Sequence, residues 1–249
     1  MSIDNGPESA QHLQDVFELY SKVKEFDAVE LKYDYGSLDN NYHYYIKEDV
    51  DIVLDNFSRV FSVPSGQLEP LKEAMQSGII DFMLLPQGDA ASFATPIMSE
   101  EMISLLYLLS RHFFRSIRSS LNVDNIYWEE GKCPVCNAVP AVSLLEMGNK
   151  RKYFCSFCGT TGYFKRIGCT QCQNEDPKLI DIIYVSDDSD IRIDVCNNCK
   201  SYVKTIDQSK VSFDDIEKAD LISLPLDIIA QERGFVRRCP NPVGMIAIS

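Results

Sequence analysis

Eight of the nine cysteines in this chain fall into four C-x2-C pairs, at 133/136, 155/158, 169/172 and 196/199. The order pair, connector, pair occurs twice, with connectors of eighteen and twenty-three residues, so two copies of one small module follow each other. Two such pairs joined by a hairpin place four thiolates around one ion in a tetrahedron. The predicted metal ligands are Cys133, Cys136, Cys155 and Cys158, then Cys169, Cys172, Cys196 and Cys199. In a cysteine knuckle the first Cys opens a tight turn and the second closes it, and the turn favours a residue that tolerates positive φ. Asn137, Gly159 and Asn174 stand near the positions that require one. The modules span about eighty residues, too few for two independent apolar cores. Metal coordination, roughly 10 to 16 kcal/mol for a structural zinc in a small peptide, is expected to supply much of their folding free energy. Without metal the modules are expected to unfold.

Sequential pairing of the sites is preferred to a cross-braced arrangement that exchanges the middle pairs, because each repeat then closes by itself. Zinc and a single rubredoxin-type iron both accept four thiolates in a tetrahedron, and spacing alone does not separate them. A thioredoxin-like dithiol needs a strand-to-helix transition at the motif, whereas these pairs sit among turn residues between β-compatible runs. Cys239, between Arg238 and Pro240, has no partner at metal spacing and reads as a free thiol.

No apolar run approaches the length that spans a bilayer, and the first residues, "MSIDNGPESAQ", lack a basic export signal. A cytoplasmic protein is expected, and a reducing cytoplasm disfavours disulfides as the reason for so many cysteines. The formal net charge is −13, with −11 in residues 1 to 128 and −2 in 129 to 249. Such acidity argues against nucleic acid as the partner, since a phosphate backbone would be repelled. Neither nucleic acid nor a membrane is expected as a partner.

Apolar residues at three- and four-residue spacing predict helices over 9 to 25, 44 to 62, 66 to 77 and 99 to 121, with Ser99 before two acids as a helix start. The stretch 83 to 98 has too much Pro, Gly and Ser for one helix and is expected to loop. From Trp128 the character changes to short β-compatible runs, at 140 to 145, 151 to 154, 180 to 185 and 191 to 195. Helical spacing resumes over 213 to 235, where Pro225 must kink the helix or begin a new one. The expected class is α+β: a helical domain (1–127), a first four-cysteine module (128–164), a second (165–208), and a C-terminal helix and tail (209–249).

His12, His43 and His112 lie in the helical part, far in sequence from every cysteine pair, and read as packed or solvated rather than ligating. Phe113, Phe114, Tyr42, Tyr44 and Tyr45 read as filling helix interfaces. "NKRK" (149 to 152) and "KR" (165 to 166) read as solvated hairpin tips. No phosphate loop, nucleophile elbow, H-E-x-x-H or paired-carboxylate motif emerges, so catalysis is not expected.

The stretches "YWEEGKCPVCNAVP" (127 to 140), "KYFCSFCGTTGYF" (152 to 164), "GCTQCQN" (168 to 174) and "VCNNCKSYVKTID" (195 to 207) together resemble the formate dehydrogenase accessory protein FdhE family. The tail "ADLISLPLDIIAQERGFVRRCPNPVG" (219 to 244) is similar to that family's closing motif through Asp220, Leu221, Leu226, Asp227, Gly234, Phe235, Arg237, Asn241 and Pro242. Asn137 stands where the family usually has Gly, Gly162 where a Trp is expected, and Pro225 interrupts the final helix. The resemblance implies a cytoplasmic, non-enzymatic factor for biogenesis of a molybdenum or tungsten formate dehydrogenase, acting on its catalytic subunit. It also implies tandem rubredoxin-like modules that bind iron through the eight paired cysteines, with the tail residues bracing the ribbons against the helical domain.

Overall fold

Stripes of apolar residues at helical spacing have to be buried against one another, and in the N-terminal part they are. The computed structural model describes residues 7–29, 31, 42–80, 86, 100–148, 150–184, 190–209 and 213–245, with the side chains of 7–13, 42–48 and 100–103 outside the description. Four helices lead: α1 (Pro7–Asp27), α2 (Tyr42–Phe61), α3 (Ser65–Gln76) and α4 (Glu100–Ser119). Val50, Val53, Leu54 and Phe57 on α2 share a core with Leu106, Leu109, Phe113 and Ile117 on α4, each set repeating every three or four residues. Phe26 of α1 closes the layer, its ring meeting Phe57 edge-on at 5.6 Å. Phe113 and Phe114 are fully buried there, as their spacing predicts. The expected loop at 83 to 98 and the Ser99 helix start lie outside the described residues apart from Pro86. So do the side chains of His12, His43, Tyr42, Tyr44 and Tyr45.

Beyond α4 the chain forms β1 (Ile126–Tyr127), β2 (Val142–Glu146), β3 (Lys150–Phe154), β4 (Thr161–Tyr163), β5 (Ile180–Ile183), β6 (Ile191–Cys196) and β7 (Tyr202–Asp207). Among the described residues these make one seven-stranded sheet in the order β1-β4-β3-β2-β7-β6-β5. Each repeat is an antiparallel meander, β2-β3-β4 and then β5-β6-β7. The meanders are joined where the first strand of one lies parallel to the last strand of the other, Val142 opposite Lys204 through Leu145 opposite Asp207. The repeats are therefore welded along an edge instead of standing as separate ribbons. Periodicity missed β1, β4 and β7: β1 and β4 have only two and three residues, and β7 carries Lys204 and Thr205, polar yet almost wholly buried.

Two short helices close the chain, α5 (Ile216–Ile222) and α6 (Leu224–Glu232). Asp215 caps α5 by accepting from the backbone N–H groups of Glu217 and Lys218 at 3.0 and 3.1 Å. Pro225 sits in the first turn of α6, where its missing N–H costs nothing, so it starts a helix and does not kink one.

Four charges lock this tail to the sheet. Lys204 Nζ lies 2.5 Å from both Asp220 and Asp227, and Arg237 reaches the same carboxylates at 2.6 and 2.9 Å. All four side chains are at most 1 % exposed, and the Tyr202 hydroxyl donates to Asp227 at 2.7 Å. Burial opposes every charge here, but Arg237 and Lys204 together hold the Asp220 carboxyl below its usual range. A second group ties the tail to the helices: Arg111 of α4 pairs with Asp27 of α1 and Glu217 of α5 and donates to the Pro242 carbonyl. Of the tail residues singled out in the sequence, Asp220 and Asp227 pair with Lys204 of the sheet, Arg237 holds both, and Pro242 accepts from α4.

Candidate metal centres

All four C-x2-C pairs fold identically at the backbone. In each, the residue after the second Cys donates its N–H to the carbonyl of the first: Asn137 to Cys133, Gly159 to Cys155, Gln173 to Cys169 and Lys200 to Cys196, at 2.8 to 2.9 Å. The N–H of each first Cys is returned to the carbonyl one residue further on, at Ala138, Thr160, Asn174 and Ser201. The donating residue always has positive φ: 60° at Asn137, 80° at Gly159, 58° at Gln173 and 59° at Lys200. Asn137 and Gly159 fulfil the expectation, whereas Asn174 does not: the left-handed residue is its neighbour Gln173. Lys200 was not foreseen. Counting one residue past each second cysteine would have found all four, although Gln and Lys carry no propensity signal for that conformation.

The knuckles bring the sulfurs together in sequential sets. Cys133, Cys136, Cys155 and Cys158 form one group and Cys169, Cys172, Cys196 and Cys199 the other, all ligand atoms within a group lying within 4.8 Å of one another. Cys133 to Cys158 and Cys136 to Cys155 are 3.4 Å apart, and Cys169 to Cys199 and Cys172 to Cys196 are 3.5 and 3.7 Å. A tetrahedron of metal–sulfur bonds of about 2.3 Å has edges of about 3.8 Å, so both groups fit a four-coordinate ion. The cross-braced pairing does not occur.

The cages differ in their surroundings. Those of the first group are at most 2 % exposed and belong to the same apolar core as Phe113, Phe114, Phe157 and Trp128. Burial and the neighbouring sulfurs push the Cys136 and Cys155 thiols far up. Burial acts on Cys158 too, but hydrogen bonds from the other sulfurs and Thr160 hold it low. Its sulfur lies 3.1 Å from the Thr160 hydroxyl, which is placed to donate to a thiolate. A cation among these sulfurs would displace their protons and supply the charge that burial withholds.

In the second group Cys169 and Cys196 are buried, while Cys172 and Cys199 are half-exposed. The Ser201 hydroxyl sits 3.3 Å from Cys169 and 3.0 Å from Cys199, the counterpart of Thr160. Burial is the largest single influence on the Cys172 thiol and raises it, but the Asn198 amide at 3.4 Å, the Asn174 backbone N–H and the neighbouring sulfurs together bring it down to about 7. Sequence reasoning passed over Thr160 and Ser201, each two residues after the last cysteine of its module.

Cys239 is a free, wholly buried cysteine, and burial pushes its thiol up to about 12. His112 is buried against the Phe26 ring at 4.5 Å, far from a ligand role. Of the "NKRK" cluster, Lys150 is exposed as expected, but Arg151 is not a solvated tip residue: it is buried beneath the sheet. Position 151 alternates inward on β3, so the strand's period overrode the local charge. Beside the first cage a cleft of about 430 Å³ opens between α1, α4, α5 and the Cys158–Gly159 knuckle, its wall mixing Lys24, Arg115 and Arg118 with Asp27, Asp215 and Glu217.

Residues 167–243, which hold the second cage and the charge-locked tail, match the model of the FdhE C-terminal domain. The chain is similar in sequence to FdhE proteins over part of its length. An FdhE homolog of Aquifex aeolicus is 29 % identical over 160 residues, 62 % of this chain and 56 % of that protein. The homolog of Proteus mirabilis is 35 % identical over 114 residues, 45 % of this chain and 37 % of its own length. The homolog of Haemophilus influenzae strain PittEE is 25 % identical over 207 residues, 82 % and 67 % of the two chains. The match thus spans about half the length of the first of these relatives and little more than a third of the second. The crystal structure of the FdhE protein from Pseudomonas aeruginosa shares the fold, with a TM-score of 0.62, 17 % identity and coverage of 95 % of this chain and 88 % of that one.

The departures from the FdhE pattern acquire physical explanations. A Cβ on Gly162 would lie 1.8 Å from Nε1 of Trp128, because that fully buried indole, arriving on the loop after β1, occupies the space. Asn137 adopts the left-handed conformation that Gly would take, which Asn tolerates best among the other residues.

Proposed function

We propose that this chain is an accessory factor for maturation of a molybdenum or tungsten formate dehydrogenase, binding the enzyme's catalytic subunit in the cytoplasm without catalysing a reaction itself. The observation that carries the reading is the combination of two sequential tetrathiolate groups with the tail that locks them to a helical domain. That combination occurs on a chain whose second cage and tail match FdhE. Among the described residues no helix is long and apolar enough to cross a membrane.

Cys133, Cys136, Cys155 and Cys158 would hold one ion, and Cys169, Cys172, Cys196 and Cys199 another. Iron is the metal proposed, with zinc as the alternative. When bound, the ion supplies rigidity, and as iron also a one-electron couple. The residues of this chain fix the knuckle backbones, donate hydroxyl hydrogen bonds from Thr160 and Ser201, and present the helical domain and sheet as one body to the partner. The domains proposed remain the helical part to residue 127, the two modules and the tail from 209, with the modules fused through β2 and β7.

The test is co-purification of the tagged full chain with the catalytic subunit of a formate dehydrogenase, with and without metal. Retention by the metal-loaded chain and its loss after chelation are expected. Retention of DNA or RNA in a salt-sensitive manner with no retention of the subunit would overturn the proposal.

A further inference from the structure

Arg151 belongs to the first repeat, yet it lines one pocket with Cys169 and Cys196 of the second cage. From β3 it donates to the Ser143 hydroxyl on β2 at 3.1 Å and to the Thr205 hydroxyl on β7 at 3.2 Å, and it pairs with Asp194 on β6 at 2.8 Å. It therefore crosses the junction between the repeats. Its other amino group points to the Arg166 carbonyl, just before the knuckle that begins at Cys169. A small pocket of about 20 Å³ is lined by Arg151, Cys169, Thr170, Asp194 and Ser201 together, so Arg151 shares a wall with a predicted ligand and with the hydroxyl that faces two of them. Cys169 accordingly acts electrostatically on Arg151.

The charge count decides what this arrangement does. Asp194 is shared between Arg151 at 2.8 Å and Arg192 at 3.0 Å, so the cluster behind the second cage is two cations and one anion. At the first cage the nearby group consists of Arg111 and Arg115 against Asp27 and Glu217, two and two. A divalent ion in four thiolates carries an overall charge of −2; because Asp194 is shared with the part-exposed Arg192, it neutralises the buried Arg151 guanidinium only in part, and the remaining positive charge stabilises that dianion where the dielectric is low.

We propose that Arg151, held by Asp194, is a positioning residue for the second metal site, its buried charge setting how tightly that site takes a divalent ion. The inference rests on the metal reading given above. Its consequence is that a side chain of one module tunes the ion of the other, so the two cages are electrically unequal even though their knuckles match.

The experiment is titration of the full-length, metal-free chain with cobalt(II) against a competing chelator. The C172S variant identifies which binding phase belongs to the second site. R151Q is expected to weaken cobalt(II) binding at that site about tenfold and leave the first site unchanged. R151K, which keeps the charge and loses the fork, is expected to retain most of the affinity. D194N removes the anion and is expected to tighten the same site. Opposite signs for R151Q and D194N distinguish charge from support, since a residue that merely holds the sheet together would weaken binding in both. Weakening by both, equal shifts at both sites, or no shift with R151Q would overturn the inference while leaving the metal reading intact. No uptake of cobalt(II) at all would overturn the metal reading and this inference with it.

Discussion

The two cages have the same knuckles and the same sequential pairing, but one is part of a hydrophobic core and the other is not. Cys133, Cys136, Cys155 and Cys158 are packed among Phe113, Phe114 and Phe157, so the N-terminal helices and the first sulfur cage share one apolar core. The second apolar core, built by Ile193, Val195, Ile206, Leu226 and Ala230, contains none of the second cage's sulfurs, and Cys172 and Cys199 face solvent. Identical coordination chemistry can thus serve as core in one place and as an exposed clasp in another. What differs is the neighbour each module found: α4 for the first, and the charged tail for the second.

The largest expected effect follows from that difference. Cys155→Ser removes a buried ligand from the first cage and should abolish cooperative unfolding of the helical domain along with the metal, since a structural ion is worth roughly 10 kcal/mol or more. Cys172→Ser should lose one ion while the helical signal and its thermal transition persist. Circular dichroism melts with metal analysis would decide, and equal collapse in both variants would break the contrast. Chelation of the wild-type chain should proceed in the same order, with the half-exposed site emptying first.

Next in size is the tail lock. Arg237→Ala leaves Asp220 and Asp227 with Lys204 as their one cation, and breaking such a buried network costs about 3 to 5 kcal/mol. Urea denaturation should show this loss in the half that holds the second cage, with the first cage retaining its ion. Loss of both ions together would mean that the tail supports the whole molecule equally.

Acid should act on the other half. Burial is the main reason that His112 has its pKa lowered to about 4, with Arg111 and Arg115 helping and Asp27 opposing. The neutral form is the native one, so its contribution is present above the unfolded value of about 6.5 and is lost as pH falls from there towards 4. The full difference is about 3 kcal/mol. Stability measured across that window should fall less steeply in His112→Leu than in the wild type, and an unchanged slope would contradict this assignment.

The smallest effect concerns Gly162. Gly162→Ala drives a methyl into the Trp128 indole, an overpacking that costs about 1 to 3 kcal/mol. Combining it with Trp128→Phe should recover part of the loss in a thermal melt, and additive losses would mean that the two positions do not share space.

Much of this molecule was legible before its coordinates. Helical period located four N-terminal helices to within two residues, since residues such as Val53 and Phe57 must face one core. Spacing alone found the four cysteine pairs, because a knuckle is a local structure, and the sequential grouping was preferred because each repeat then closes by itself. What escaped was non-local. No pattern announces that β2 will lie parallel to β7, or that Lys204 in a strand will be neutralised by two acids from helices yet to come. Arg151 reads as a loop charge until the strand's alternation turns it inward. Local rules describe the knuckles well, and they say nothing of which side chain from a distant repeat will stand behind each one.

The parallel seam between Val142–Leu145 and Lys204–Asp207 also has a consequence for biosynthesis. As the polypeptide leaves the ribosome, β2 emerges some sixty residues before the strand that covers its free edge. Until then the nascent chain carries an unsatisfied strand border, and a message truncated before codon 202 would release a product primed to stick to its own copies.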